Sequence, residues 1–223
     1  MFFWLGIATF GGAAVVAIRW YFTRVDALGR VAPFPWLGVS LLIVLAGGLL
    51  APSYLRARLE ARLADAAGQL IGTEVEVECQ SFGQAFVDTG AEFGFVPFGP
   101  DGVPERRALI KRNQCADLAD YLGSNKVQPS FDHVVAVHTL THEAIHMSGV
   151  TSEAETECMA LQRDAEMARL LGAPSGGARA LSVHYWQGVY PRMPEPYRSD
   201  ACRPGGALDI RAPEAPWNAG RRV

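Results

Sequence analysis

Two stretches near the N-terminus carry no charged side chain, and they limit the folds open to this chain more than anything else in it. Residues 1–18 read MFFWLGIATFGGAAVVAI, and residues 31–55 read VAPFPWLGVSLLIVLAGGLLAPSYL. A helix needs about 20 mostly apolar residues to cross a bilayer, and both stretches come close to that. Arg19 can snorkel to the interface, and Trp20, Tyr21 and Trp36 suit an interfacial aromatic belt. A cleaved signal peptide would carry basic residues ahead of the first run, and none stands there. The expectation is a two-pass transmembrane helical hairpin over residues 1–52, embedded in the cell membrane with the lipid bilayer as a partner.

Residues 53–72 read as an amphipathic juxtamembrane helix. Leu55, Leu59, Leu63 and Leu70 lie on one side, with Arg56, Arg58, Glu60 and Arg62 between them. A soluble domain is expected over 73–202, and a Pro- and Gly-rich disordered tail over 203–223. Sidedness is read from two signals. Arg19, Arg24 and Arg30 favour a cytoplasmic connecting loop, whereas Arg56, Arg58 and Arg62 pull the other way. Cys79, Cys115, Cys158 and Cys202 are an even number in the soluble part, compatible with two disulfides, so the domain is expected to be extracytoplasmic. The formal net charge of −3 argues against a nucleic-acid partner, which needs a basic face.

Within the domain the pattern is α+β and mainly helical. TEVEVEC alternates with period two, and AEFGFVPFGPDGVPERRALIKR reads as a short β-hairpin around a Gly-Pro-Asp-Gly turn. Phe93 and Phe95 alternate on that hairpin, whose edge is a candidate for aligning an extended peptide, against plain core packing. CADLADYL is a short helix, and Ser130 is placed to cap a longer one over about 131–148. On that helix Val137, Leu140, Ala144 and Met147 share one side, and His138, His142 and His146 the opposite side. Gly149 is a stop signal. A second helix starts at TSEAE, where Ser152 and Glu155 have capping-box spacing, and runs to about Leu171. A third is expected around 177–188.

His142-Glu143-Ala144-Ile145-His146 is H-E-x-x-H. Two histidines one helical turn apart can bind one Zn²⁺, and a glutamate next to the first is rotated about 100° away, beside the metal rather than on it. Glu143 is therefore the candidate general base, taking a proton from a water that zinc acidifies to a pKa of about 7. A catalytic zinc also needs a third protein ligand and an open position. Glu153 and Glu157 on the next helix are the candidates, and either is also a candidate supporting residue for a ligand histidine. His138 is a supporting or alternative ligand on the same face. Donors to a transition-state oxyanion are sought at His184, Tyr185 and Tyr190.

HEAIH followed by GVTSEAETECMA resembles the gluzincin class of zinc metallopeptidases. The likeness covers about residues 131–172. Membership would imply a zincin-like domain, zinc as cofactor, and a peptide or protein as substrate. The E-x-x-A-D or E-x-x-A-N signature of several such families, laid on Glu153-Ala154-Glu155-Thr156-Glu157, makes Glu153 the third ligand. Thr156 then stands for the small alanine, and Glu157 for the residue that orients a ligand histidine. The spacer from His146 to Glu153 is shorter than in most gluzincins. A reading of another class is a membrane-anchored, non-catalytic zinc module, its site closed by a fourth ligand such as His138.

Overall fold

The computed structural model describes residues 2–87, 90 and 92–219. Its described part divides into two compact units, residues 1–58 and 59–223. The first contains helix α1 (Phe2–Thr23) and the start of helix α2 (Trp36–Ile71), both long and apolar enough to cross a membrane. They run antiparallel and close: a Cβ on Gly6 would stand 2.7 Å from Leu50 Cγ. Trp20 Nε1–H donates to the carbonyls of Ala32 and Pro33 and so closes the connecting loop. Trp4, Phe10, Val15, Leu37 and Val44 are exposed, the outward apolar surface that a lipid environment would cover.

The juxtamembrane helix is not a separate element. Pro52 lies inside α2, which continues unbroken to Ile71. Its last turns belong to the second unit, where Leu63, Ala66, Ala67 and Leu70 are buried in the core. Of the leucines expected on one side, Leu63 and Leu70 are buried and Leu59 packs against the core, whereas Leu55 is exposed, and the domain starts near Leu59 rather than at 73.

The sheet has three strands in the order β1-β3-β2: β1 (Glu76–Cys79), β2 (Gly94–Phe95) and β3 (Arg107–Ile110). Strands β2 and β3 form the expected antiparallel pair, its first predicted residue, Ala91, lying outside the described residues. Strand β1 joins β3 in parallel. Val77, Cys79, Gly94, Ala108 and Ile110 are buried, while Glu76, Phe95 and Arg107 are exposed, as alternation on a half-covered sheet requires.

After the end of α2 the domain contains α3 (Phe82–Val87), α4 (Arg112–Gly123), α5 (Phe131–Met147), α6 (Glu153–Leu170) and α7 (Ser175–His184). A π-helical turn over Tyr185–Val189 extends α7, near the predicted end at 188. Helix α5 is central, and both its apolar and its histidine faces are buried.

The segment after Cys202, expected to be disordered, is packed as far as residue 219; residues 220–223 lie outside the described residues. Buried Gln162 on α6 donates to Leu208 O at 2.9 Å and accepts from Ile210 N–H at 3.0 Å. Trp217 meets Trp186 edge to face, and Arg169 pairs with Glu214. A Pro- and Gly-rich composition stays ordered here because a buried glutamine satisfies its backbone.

All four cysteines pair, Cys79 with Cys115 and Cys158 with Cys202. The first bond joins β1 to α4 and closes a loop with a sequence separation of 36. Replacing Cys79 and Cys115 together by serine is expected to lower stability by about 3–4 kcal/mol through the freed unfolded chain. The denaturation midpoint of the detergent-solubilised full chain checks this.

Candidate metal centre

The start of α5 is fixed by a capping box that combines Ser130 with His133. Ser130 Oγ accepts from His133 N–H at 3.2 Å, and His133 Nδ1 accepts from Ser130 N–H at 3.4 Å. From this start, His138, His142 and His146 follow one turn apart on the face that α6 covers. The capping box expected at Ser152 and Glu155 is not formed, since the Ser152 side chain makes no capping bond. Glu153 and Glu155 in the first turn complement the helix dipole instead.

The turn between the two helices explains how a spacer of six residues suffices. Gly149 takes a positive φ of 107°, which a side chain would resist. The chain reverses there, and Val150 O returns to accept from His146 Nδ1–H at 2.8 Å. Helix α6 then starts at once, with Glu153 opposite the histidines.

Three donor atoms converge at this point. His142 Nε2 is 3.1 Å from His146 Nε2 and 3.2 Å from Glu153 Oε2, and His146 Nε2 is 3.5 Å from that same oxygen. Ligands arranged tetrahedrally around Zn²⁺ at about 2.0–2.1 Å stand about 3.3–3.4 Å apart. The triangle has those dimensions. The tautomers agree with it, because each ring has its other nitrogen on an acceptor: His146 on Val150 O, His142 on Glu157. Both Nε2 lone pairs therefore face the carboxylate oxygen of Glu153, an arrangement that repels itself unless a proton or a cation sits inside it.

Glu157 Oε2 accepts from His142 Nδ1–H and from His138 Nε2–H, both at 3.0 Å, and its Oε1 accepts from Tyr185 O–H at 2.6 Å. His138 Nδ1–H continues to Asp164 Oδ2 at 2.9 Å, and Tyr185 stacks flat on the His138 ring with centroids 3.4 Å apart. His138, His142 and Glu157 also lie close enough together to hold an ion. Each contact there, however, already joins an N–H to a carboxylate. Burial pushes the His138 pKa down, but Asp164 and Glu157 more than reverse this, to about 10. His138 belongs to this second group and not to the triangle of His142, His146 and Glu153.

Glu143 lies beside the triangle, buried, with no hydrogen-bond partner for Oε2 among the described residues. Burial raises its pKa to about 7, against the opposing pull of the His142 and His146 charges. A carboxylate in this state is ready to accept a proton.

None of the three expected oxyanion donors stands at the site. Tyr185 spends its hydroxyl on Glu157. Tyr190 exchanges hydrogen bonds with Ser199 and stacks on Trp186, and His184 is exposed beside Phe131. A residue that spacing does not reveal is there instead. The Tyr197 ring centroid is 6.0 Å from that of His142. Its pKa is raised by burial and then by the charges of Glu153 and Glu143. The Tyr190–Ser199 bonds and the Cys158–Cys202 disulfide hold its segment. The one sequence signal for it is the Pro194-Glu195-Pro196-Tyr197 run, which stiffens the backbone into a single 3₁₀ turn.

Searches against protein-family models, curated proteins and solved structures find no match. The site therefore has to be read from its own geometry.

Metal and proton compete for the same three atoms. Burial disfavours the His142 cation, but hydrogen bonds to Glu153 and Glu157 outweigh it and raise its pKa to about 9, while the two histidines hold Glu153 down to about 2. Between pH 6 and 9 the metal-free His142 is thus protonated, and metal uptake must displace that proton. Apparent Zn²⁺ affinity is expected to rise about tenfold per pH unit across this range, with about one proton released. Calorimetry in two buffers of different ionisation enthalpy measures both. Glu157→Gln, which weakens the orienting bond to His142, is expected to lower zinc affinity about 10- to 100-fold, read by competition with a chromophoric chelator.

Proposed function

We propose that this chain is a membrane-anchored zinc-dependent peptidase of the gluzincin type. The observation that carries the reading is the triangle of His142, His146 and Glu153 with the buried Glu143 carboxylate beside it, whose Oε2 has no partner among the described residues. A purely structural zinc site has no use for such a carboxylate.

His142, His146 and Glu153 would hold the ion. When bound, Zn²⁺ supplies Lewis acidity, which brings the pKa of a water near 7 and polarises a carbonyl. Glu143 takes the proton released as that water attacks, and returns it to the leaving amine. Tyr197 donates its hydroxyl hydrogen to the oxygen on which negative charge develops. Glu157 and Val150 O keep the two imidazoles turned inward throughout.

A peptide substrate would be aligned by strand β2, at the edge of the sheet. Lys111 N–H donates to Phe93 O, so the hydrogen-bonding groups of Phe93 face β3. Those of Gly94, next along the strand, point away from β3, but Gly94 is buried, so an extended peptide would pair with them only once that side of the strand is uncovered. Two paired disulfides suit an oxidising compartment and so support an extracytoplasmic domain, with α1 and the start of α2 as its anchor in the cell membrane.

Glu143→Gln is expected to cut hydrolysis of a quenched fluorogenic peptide library by about 10²–10⁴-fold with bound zinc unchanged. Tyr197→Phe is expected to lower kcat about 10²–10³-fold. Full hydrolysis by zinc-loaded Glu143→Gln would refute the reading.

A further inference from the structure

Gly94 is buried on β2 and lies directly against the Glu143 side chain. A Cβ placed there would stand 3.0 Å from Glu143 Oε1, 3.1 Å from Glu143 Cγ and 3.1 Å from Ile110 Cδ1. Its backbone does not call for glycine, because Gly94 is not among the glycines with positive φ. Strand statistics argue against glycine too, since it loses more entropy on folding than alanine and leaves nothing to pack. Space is what remains. A side chain at this point would have to share its volume with the carboxylate.

The two sides of this contact differ in how easily they yield. On one side the backbone of β2 is fixed by the Phe93–Lys111 hydrogen bond and the Phe95–Leu109 pairing. Opposite it, the backbone of Glu143 lies in the middle of α5, where Ala144 and Leu140 are fully buried. The mobile part is the end of the glutamate. A methyl group on Gly94 would therefore leave both elements in place and swing the carboxylate by a few tenths of an ångström or more. Glu143 Oε2 has no protein partner to draw it back.

We propose that Gly94 is a positioning residue for Glu143: the bare backbone of β2 forms the wall that sets where the carboxylate stands beside the metal ligands. This rests on the peptidase reading for its functional consequence, but not for the contact itself. The same residue points its peptide groups away from β3, so the wall behind the carboxylate is the last strand of the sheet itself.

The test is a double-mutant cycle on the detergent-solubilised full chain: wild type, Gly94→Ala, Glu143→Ala, and both together. Three quantities are measured: zinc content, Tm, and kcat with KM on a fluorogenic peptide. Expected in Gly94→Ala is a kcat loss of about tenfold or more, with KM and zinc content kept. Without the Glu143 side chain only the Ile110 Cδ1 contact remains, and the strand preference for alanine is left. The Tm change on Gly94→Ala should then be more favourable in the Glu143→Ala background than in the wild type. If Gly94→Ala folds only together with Glu143→Ala, the contact is stronger still and the proposal stands. Equal Tm shifts in both backgrounds, failure to fold in both, or an unchanged kcat would overturn it. A wild type without hydrolytic activity would sink the peptidase reading, while the Tm cycle would still decide the Gly94–Glu143 contact.

Discussion

The carboxylate of Glu157 is the point on which the site depends. It is 1% exposed, and a buried charge is tolerated only when hydrogen bonds replace the water it has lost. Three donors do so: His142, His138 and Tyr185. Two come from α5 and one from the turn after α7. Satisfying one anion thus fixes two elements against α6. The result is an antiparallel ladder in which acids on α6 alternate with imidazoles on α5. Glu153 lies between His146 and His142, Glu157 between His142 and His138, and Asp164 beyond His138. Shifting α6 by one turn would move every acid to the wrong histidine, so the register that builds the metal triangle is set by the bonds beneath it.

The ladder also explains which parts of the site were legible in the sequence. Histidines every fourth residue and glutamates four apart define faces by helical periodicity alone, so the two facing sets were readable, whereas the preference for Glu153 as ligand and Glu157 as support came from the gluzincin resemblance. Periodicity gives neighbours within an element and nothing across the chain. Tyr197 reaches His142 through a disulfide, a 3₁₀ turn and a tyrosine–serine hydrogen bond, none of which leaves a spacing to read. Tyr185 was noticed, but as a donor to substrate rather than to Glu157, because residue type does not say which partner a hydroxyl finds.

The fold divides along the same line. The apolar runs, the leucine stripe of α2 and the hairpin are local patterns and were readable. The parallel pairing of β1 with β3 and the packing of residues 203–219 on Gln162 are non-local, and the tail's Pro and Gly content pointed the other way. A segment held by its backbone to one buried amide needs no hydrophobic signature of its own.

The same bonds bear on the choice between a hydrolytic site and a structural one. A structural zinc takes four protein ligands, and His138 is the only further histidine on this face of α5. Two carboxylates and a stacked tyrosine already occupy it, below the triangle rather than beside it. Glu153, at the other end of the ladder, has a side chain that is 42% exposed. The cluster is sealed underneath by protein and reaches solvent at its third ligand. Under the proposed reading an ion held by these three atoms would meet a substrate from that side, with Glu143 and Tyr197 as the groups to move a proton and steady an oxyanion.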